Sequence, residues 1–454
     1  MSHKVILISE SKWRDLPGLV WLKMLLQKKN PSWEISIVSK NSVNDYTKIF
    51  GPSVAVIPSS EGDWPRYARE LSAQGVLSVI LPVEGRPNYG KLMEWCVTSH
   101  TGYQSDATLL WSQTMKKVID RVPLPQAKRS SVVGPTRFDF YRPPLSDLLM
   151  KKADLAKHLN AQIDGPVVGW PTNFPHAKLM HNNKSLTWQI NDWIKMGFGK
   201  MGLKKEDLHR MVKKEFDARE SSMLCLEKCS QALPHASFCL KPHPFEDHHY
   251  YKKKINSWRS RGIKNIHFVQ GLYIWDLLNV CSVHVHRSCT TGTEAWLLGK
   301  PTIELGFIKL YEDMLEEGGM IVGPTKDAED AEDIAMSMDI VIEKLKEYLE
   351  GKKVDPDLIR KRNKYIEKWF YKVDGCATQR AADQISLLVE ERNPRSEAKS
   401  IMSAVKIFGM PFHKLYLRIT DLGAPKIDPW GHWDRYARQS NIIEWEKRIA
   451  GLFR

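Results

Sequence analysis

A chain of 454 residues exceeds one ordinary domain and can bury two substantial cores, and 42% hydrophobic against 26% charged residues makes it globular rather than disordered. The 67 Lys and Arg against 53 Asp and Glu leave a net charge of +14, which favours anionic ligands, acidic lipid surfaces or nucleic acid without choosing among them. Seven cysteines without regular spacing argue against a disulfide framework, and Cys225 with Cys229 lacks a second pair for zinc. No apolar run is long enough to cross a bilayer, and residues 5–8 are too short a run, too soon followed by charge, for a signal peptide. The expected setting is cytoplasmic.

Residues 5–8 read as a strand buried on both faces, followed by the charged loop Glu10, Lys12, Arg14, Asp15. A helix over 19–26 and strands over 34–38, 53–57 and 77–81 continue the βαβ rhythm of a parallel sheet. Charges at the carboxyl edge of such a sheet suit the docking of an anionic acceptor, or form a solvated turn. The fourth strand runs into Val83-Glu84-Gly85, where a carboxylate on a glycine-sharpened turn could take a hydroxyl proton or simply face solvent. Residues 103–117 are predicted helical, and Arg137 with Asp139 is predicted to form a hinge ion pair before the second domain.

A helix over 147–159 precedes a strand over 166–171 that ends at Thr172 and Asn173, a polar end placed at the crevice. Residues 176–215 suggest a helical insertion, and 211–233 a long amphipathic helix. Phe238-Cys-Leu-Lys-Pro-His-Pro244 is a buried strand stopped by two prolines, which hold His243 beside Lys241 at the strand's carboxyl end. The run 243–249 has enough His and acid to suggest a metal, yet adjacent imidazoles cannot easily chelate one ion, so no metal is predicted. An alternating strand over 280–286 leads into Ser288, Thr290 and Thr291, then a helix from Glu294 that Gly299 and Pro301 stop, then a strand over 302–305. A strand ending in a hydroxyl-rich turn at a helix N-terminus can hold a phosphate, and Glu294 one turn in could accept from two ribose hydroxyls. Helices are predicted over 312–319, 328–349, 355–370 and 377–389, with a linker at 391–396. The tail carries Trp430, Trp433, Tyr436 and Trp445 among Arg435, Arg438 and Lys447, and either meets an anionic surface or covers a groove of its own protein.

The motif Lys-Pro-His-Pro at 241–244, followed by Cys-Thr-Thr-Gly-Thr-Glu-Ala-Trp-Leu-Leu-Gly-Lys-Pro at 289–301, resembles the bacterial surface carbohydrate biosynthesis proteins, which are glycosyltransferase-like with a His-Pro motif. Glu10-Ser-Lys-Trp-Arg-Asp-Leu16 and Gly134-Pro-Thr-Arg-Phe-Asp139 with Arg142-Pro143 are similar to further motifs of that family. The resemblance implies a GT-B fold: an acceptor domain over 1–145, a nucleotide-donor domain over 146–390, and a basic aromatic extension over 391–454. It also implies a glycosyltransferase taking its sugar from a nucleotide donor, with a CMP-linked Kdo-like or sialic-acid-like sugar favoured, and giving it to a surface-glycan or lipid-linked acceptor. His243 would then act on the leaving phosphate, Lys241, Ser288, Thr290, Thr291, Thr172 and Asn173 would hold the donor, Glu294 its ribose, and Glu84 or Glu10 would be the base. Val83-Glu84-Gly85 has only the second acid of the acidic pair that His-Pro transferases carry. No cofactor beyond the donor is implied. Peripheral contact with anionic lipid is expected, and nucleic acid is not. A CDP-polyol phosphotransferase of teichoic-acid type, a UDP-sugar 2-epimerase and a non-catalytic glycan-binding protein remain as alternatives.

Overall fold

The computed structural model describes residues 3–59, 64–83, 105–121, 129–195, 198–201, 203–287, 289–310, 326–391 and 436–453. Its first half is one sheet of β1 (Lys4–Ser9), β2 (Glu34–Ser39), β3 (Val54–Ile57), β4 (Leu77–Ile80), β5 (Ala107–Leu110) and β6 (Ser130–Val132). The strands are all parallel in the order β2-β1-β3-β4-β5-β6, with Val5 opposite both Ile35 and Val54. Helices cover both faces, so Val54 to Ile57 are all buried and the strand reads as an unbroken apolar run. The predicted helix over 103–117 is corrected here. Ala107–Leu110 is strand β5, and the helix starts only at Gln113, capped by Ser112, whose Oγ accepts from the Met115 N–H at 3.2 Å. A four-residue strand buried on both faces has no alternation to betray it.

The second sheet contains β7 (Val167–Pro171), β8 (Ser237–Lys241), β9 (Ile266–Phe268), β10 (Val283–His286), β11 (Thr302–Leu305) and β12 (Ile334–Ala335). It too is parallel, in the order β12-β11-β10-β7-β8-β9. The chain grows the sheet outward from β7 to β9, then returns to place β10 on the other side of β7. That reversal opens a crevice at the carboxyl ends of β7 and β10. Three expectations change, and the helix predicted over 312–319 lies outside the described residues. The helix predicted over 147–159 begins only at Lys152, after a 3-10 turn at Leu145–Leu148. The strand predicted over 280–286 starts only at Val283, because Val280 ends the helix Ile274–Val280, and all four of its residues are buried, the histidines included. The predicted helix over 328–349 is two helices, Lys326–Asp330 and Met338–Leu349, separated by β12. Between β7 and β8, Leu179, Leu186, Ile190, Trp193, Leu208 and Val212 form a small core of their own, ahead of the buried face of the helix Lys205–Ala232.

Residues 136–148 cross between the sheets as two short 3-10 turns. The helix Ala377–Glu390 returns to the first sheet, where Ala381, Ala382, Ile385 and Val389 join the core of Val5 and Leu7. The predicted Arg137–Asp139 ion pair is absent. Asp139 accepts the Ala377 and Thr378 N–H groups at 2.9 and 2.7 Å, supplying this returning helix with acceptors for its otherwise unpaired first donors. The C-terminal helix Gln439–Gly451 packs where the halves meet: Trp445 is 3% exposed, lies edge-on to Phe140 and Tyr273, and donates to the Tyr273 hydroxyl at 3.0 Å. Trp445 is therefore core, while Trp430, Trp433 and Arg435 lie outside the described residues. Among the described residues no helix is long and apolar enough to cross a membrane.

Candidate functional site

The carboxyl ends of β8, β7 and β10 lie side by side and carry the second half's candidate residues. Lys241 ends β8 opposite Pro171 of β7, and its carbonyl accepts the Thr172 N–H at 3.0 Å. Burial brings the Lys241 ammonium down to about 8, against the attraction of the Asp276 carboxylate. Burial also lifts Asp276 to about 6, although the Met150 N–H donates to it at 2.9 Å.

After Pro242 the chain turns sharply, and His243 is half-buried with its ring stacked on Phe245 at 5.5 Å. The Phe245 N–H donates to His243 Nδ1 at 3.2 Å. In the neutral ring the proton therefore sits on Nε2. The other acids and imidazoles of this run have separate tasks: Asp247 caps the helix His248–Ser260 through the His249 N–H at 2.9 Å, and His248 Nε2 meets the His243 carbonyl at 3.2 Å.

Glu246 is the residue that sequence reasoning missed. Its carboxylate is buried and accepts from the Thr172 hydroxyl at 2.9 Å, the Phe174 N–H at 2.8 Å, the His243 N–H at 3.4 Å and the Tyr251 hydroxyl. One side chain thus ties the His-Pro turn to the end of β7 and to the following helix. Burial pushes the carboxyl up to about 7 in spite of these donors. The available signal was its spacing three residues after His243, the separation that lets a side chain fold back on a turn.

On β10 the inward rings are paired beneath the next turn. His284 Nε2 lies 3.0 Å from Thr291 Oγ1, and His286 is held between Glu304 at 3.1 Å and Glu332 at 3.4 Å. Burial alone would lower His286, but the Glu332 and Glu304 carboxylates outweigh it and raise it; burial and the His286 charge drive His284 well down. The His286 ring fits only because residue 292 is glycine, since a Cβ there would lie 2.5 Å from the ring. His286, Glu304 and Glu332 each offer one ligand atom within 4.8 Å of the others, a donor set that a cation could use. Arg287 Nη1 donates to Glu304 at 2.7 Å, so that carboxylate already has a positive partner, and burial raises the Glu332 carboxyl.

Thr290 opens the helix Thr290–Leu297 and is half-buried, while Thr291 is directed inward to His284. Glu294 is 1% exposed and fully engaged, accepting from Arg137 Nη2 at 2.8 Å and the Tyr141 hydroxyl at 2.5 Å. Arg142 adds bonds to the Leu297 and Val373 carbonyls at 3.0 and 2.9 Å. The crossover is therefore fastened to this helix, a link no local pattern announces. Asn173 is half-buried beside Thr172. On the first sheet, Glu10 pairs with Arg14 at 2.7 Å and Lys40 at 3.4 Å, at the far side of the domain junction from the His-Pro turn in sequence. Asp15 organises that loop, accepting from Ser9 Oγ and the Glu10 and Ser11 N–H groups at 2.7, 2.9 and 3.1 Å. Glu84 and Ser288 lie outside the described residues.

Two Rossmann-like domains, each with its own parallel sheet and joined by a crossover and a returning helix, define a GT-B-like α/β protein. Solved structures share this fold. S. aureus MnaA with UDP aligns at TM-score 0.52 and 9% identity over 86% of this chain and 97% of its own. A UDP-N-acetylglucosamine 2-epimerase aligns at 0.51 and 10% identity over 87% and 98%. The wall teichoic acid polymerase TagF, described in a soak with CDPG, aligns at 0.53 and 13% identity over 86% and 89%. No protein-family profile matches the chain, and no curated protein sequence does.

Proposed function

We propose that this is a nucleotide-sugar-dependent transferase, with the donor on the second domain and a surface-glycan acceptor on the first. The supporting observation is His243, held just past a strand's carboxyl end with its Nδ1 accepting the Phe245 N–H, so that the neutral ring would present Nε2–H to a leaving phosphate oxygen. The bond between the sugar carbon and the phosphate oxygen breaks with its electron pair leaving on oxygen. The acceptor oxygen takes the sugar carbon and gives its proton to Glu10 or Glu84. Lys241 and the helix beginning at Thr290 offset the phosphate charge, with Ser288, Thr291, Thr172 and Asn173 around it. Glu294, already held by Arg137 and Tyr141, would accept from the ribose with its remaining lone pairs. The donor is a substrate, and no other cofactor has a part in these steps.

A cytidine nucleotide is favoured by the family resemblance, whereas the similar structures are described with UDP and CDPG. Polyol-phosphate transfer is the second reading, favoured by the likeness to TagF together with Lys-Pro-His-Pro at 241–244. Incubation with CMP-sugars, CDP-glycerol and UDP-HexNAc separates them by product. Sugar transfer with CMP release supports the first reading, and epimerised UDP-HexNAc as the sole product removes it. His243→Ala should lower kcat by roughly a hundred-fold or more; an unchanged kcat in the folded variant would remove His243 from the chemistry. Contact with anionic lipid through the segment beyond residue 391 belongs to the same reading, and a low-salt flotation assay with anionic vesicles tests it.

A further inference from the structure

We propose that a cleft at the carboxyl ends of β1, β4 and β5 binds one oxyanion group, a phosphate or carboxylate borne by the acceptor. This deepens the transferase reading and rests on its placing of the acceptor on the first domain. The cleft lies between Arg14, from the loop after β1, and Arg137, from the crossover, with Thr136 beside them and Leu19, Val83 and Trp111 as walls. It is small and open at its mouth, which suits a single anionic group better than a whole glycan.

The two guanidinium groups are held in place by other atoms before any ligand arrives. Arg14 donates through Nη2 to Glu10 at 2.7 Å, and Arg137 through Nη2 to Glu294 at 2.8 Å. The Arg137 guanidinium also rests against the Trp111 and Phe138 rings at 5.7 and 5.4 Å. Trp111 is itself fixed by donating to the Pro82 carbonyl at 2.8 Å. A guanidinium has five N–H donors, and the bond to Glu294 uses only one of the two terminal nitrogens of Arg137. The Arg137 Nε–H is buried and meets no acceptor among the described residues. A buried donor left unpaired is unfavourable, and an oxyanion between the two arginines would pair it.

The remaining lining favours negative charge. Asp15 borders the cleft, but its oxygens are turned to Ser9 and to the Glu10 and Ser11 N–H groups. Burial raises its carboxyl, which weakens its repulsion of an anion. The helix Leu16–Lys29 begins at this edge, so its positive end adds to the arginines' field. Apolar walls keep water from screening that field.

Crystals soaked in tungstate, a heavy phosphate analogue, locate the site by anomalous scattering, and calorimetry with inorganic phosphate at saturating CMP or UDP measures it. A tungstate peak between Arg14 and Arg137 is expected, together with phosphate binding at least ten-fold weaker in Arg14→Met and unchanged nucleotide affinity. Arg14→Lys, which keeps the charge but loses the fork, should show a smaller loss and covers the case in which Arg14→Met does not fold. Tungstate only at the Thr290 turn, or equal phosphate affinity in wild type and both variants, overturns the site. Acetate competing as well as phosphate assigns the group as a carboxylate. Nucleotide binding without phosphate binding sinks this site and leaves the transferase reading. Phosphate at the cleft without binding of any nucleotide sinks that reading and leaves an anion site.

Discussion

Strands β1 and β10 both lie inside their sheets, β1 between β2 and β3 and β10 between β11 and β7. Within β1, Val5, Ile6, Leu7 and Ile8 are all buried, so its contribution comes from apolar area, about 1.5–3 kcal/mol for each large side chain. Within β10, Val283 and Val285 alternate with the equally buried His284 and His286. Each of those rings has a dedicated partner, Thr291 in one case and the Glu304–Glu332 pair in the other. Apolar burial is forgiving because it has no direction. A buried imidazole is tolerated only while its partners are in place and correctly charged, and here that requirement falls directly beneath the turn read as the phosphate site.

The largest expected effect tests that difference. Below pH 6.5, where the raised imidazole is charged, His286→Leu should cost about 3–5 kcal/mol in urea unfolding, because Glu304 and Glu332 lose the cation they both face. Leu7→Ala should cost about 2–5 kcal/mol from lost volume, at any pH. His286 is raised above its ordinary 6.5, so its contribution is complete below that value and is lost as the pH rises through the folded value. The His286→Leu penalty should therefore shrink with rising pH while the Leu7→Ala penalty does not. Parallel pH dependence in the two variants would break the comparison.

Next in size is Glu246, whose carboxyl is raised from 4.5 to about 7. A raised carboxyl contributes fully below its unfolded value and loses that contribution as the pH rises through the folded one, here on the order of 3 kcal/mol. Glu246→Gln should flatten the fall in stability across that window; an unchanged slope in thermal melts would show that Glu246 is not the group responsible. Glu294→Gln should be milder, about 1–3 kcal/mol, since one of Arg137 and Tyr141 loses its charged acceptor. If calorimetric unfolding shows no loss, the crossover is held by Arg142 instead. The smallest effect belongs to Lys23 and Glu446, paired at 2.7 Å with side chains 15% and 32% exposed. Breaking this pair should cost at most about 1 kcal/mol, less in high salt.

Much of the fold was legible because parallel strands buried on both faces read as short apolar runs between helices. The same feature hid β5, since Ala107–Leu110 is too short for its period to be distinguished from a helix. The His-Pro turn was legible because proline acts locally, fixing its own φ and restricting the residue before it. The partners of Arg137 and Asp139 were not. These residues stand two apart, yet one reaches Glu294, 157 residues away, and the other the N–H groups of Ala377 and Thr378, 238 and 239 residues away. Glu246 stood in plain sight in the motif, but its acceptance of the Thr172 and Phe174 donors depends on β7 lying beside β8.

By itself the sequence determined the alternation of strands and helices, the stops at Pro242, Pro244 and Gly299, and the placing of His243 and Lys241 at the end of a strand. Those features follow from backbone stereochemistry and the period of burial, which act over a few residues. Only the tertiary structure decided which charges meet: His286 with Glu304 and Glu332, Glu246 with the β7 end, and Arg14 facing Arg137 across a cleft. Electrostatic and hydrogen-bond energies depend on distances of a few ångströms between groups far apart in the chain, and folding sets those distances.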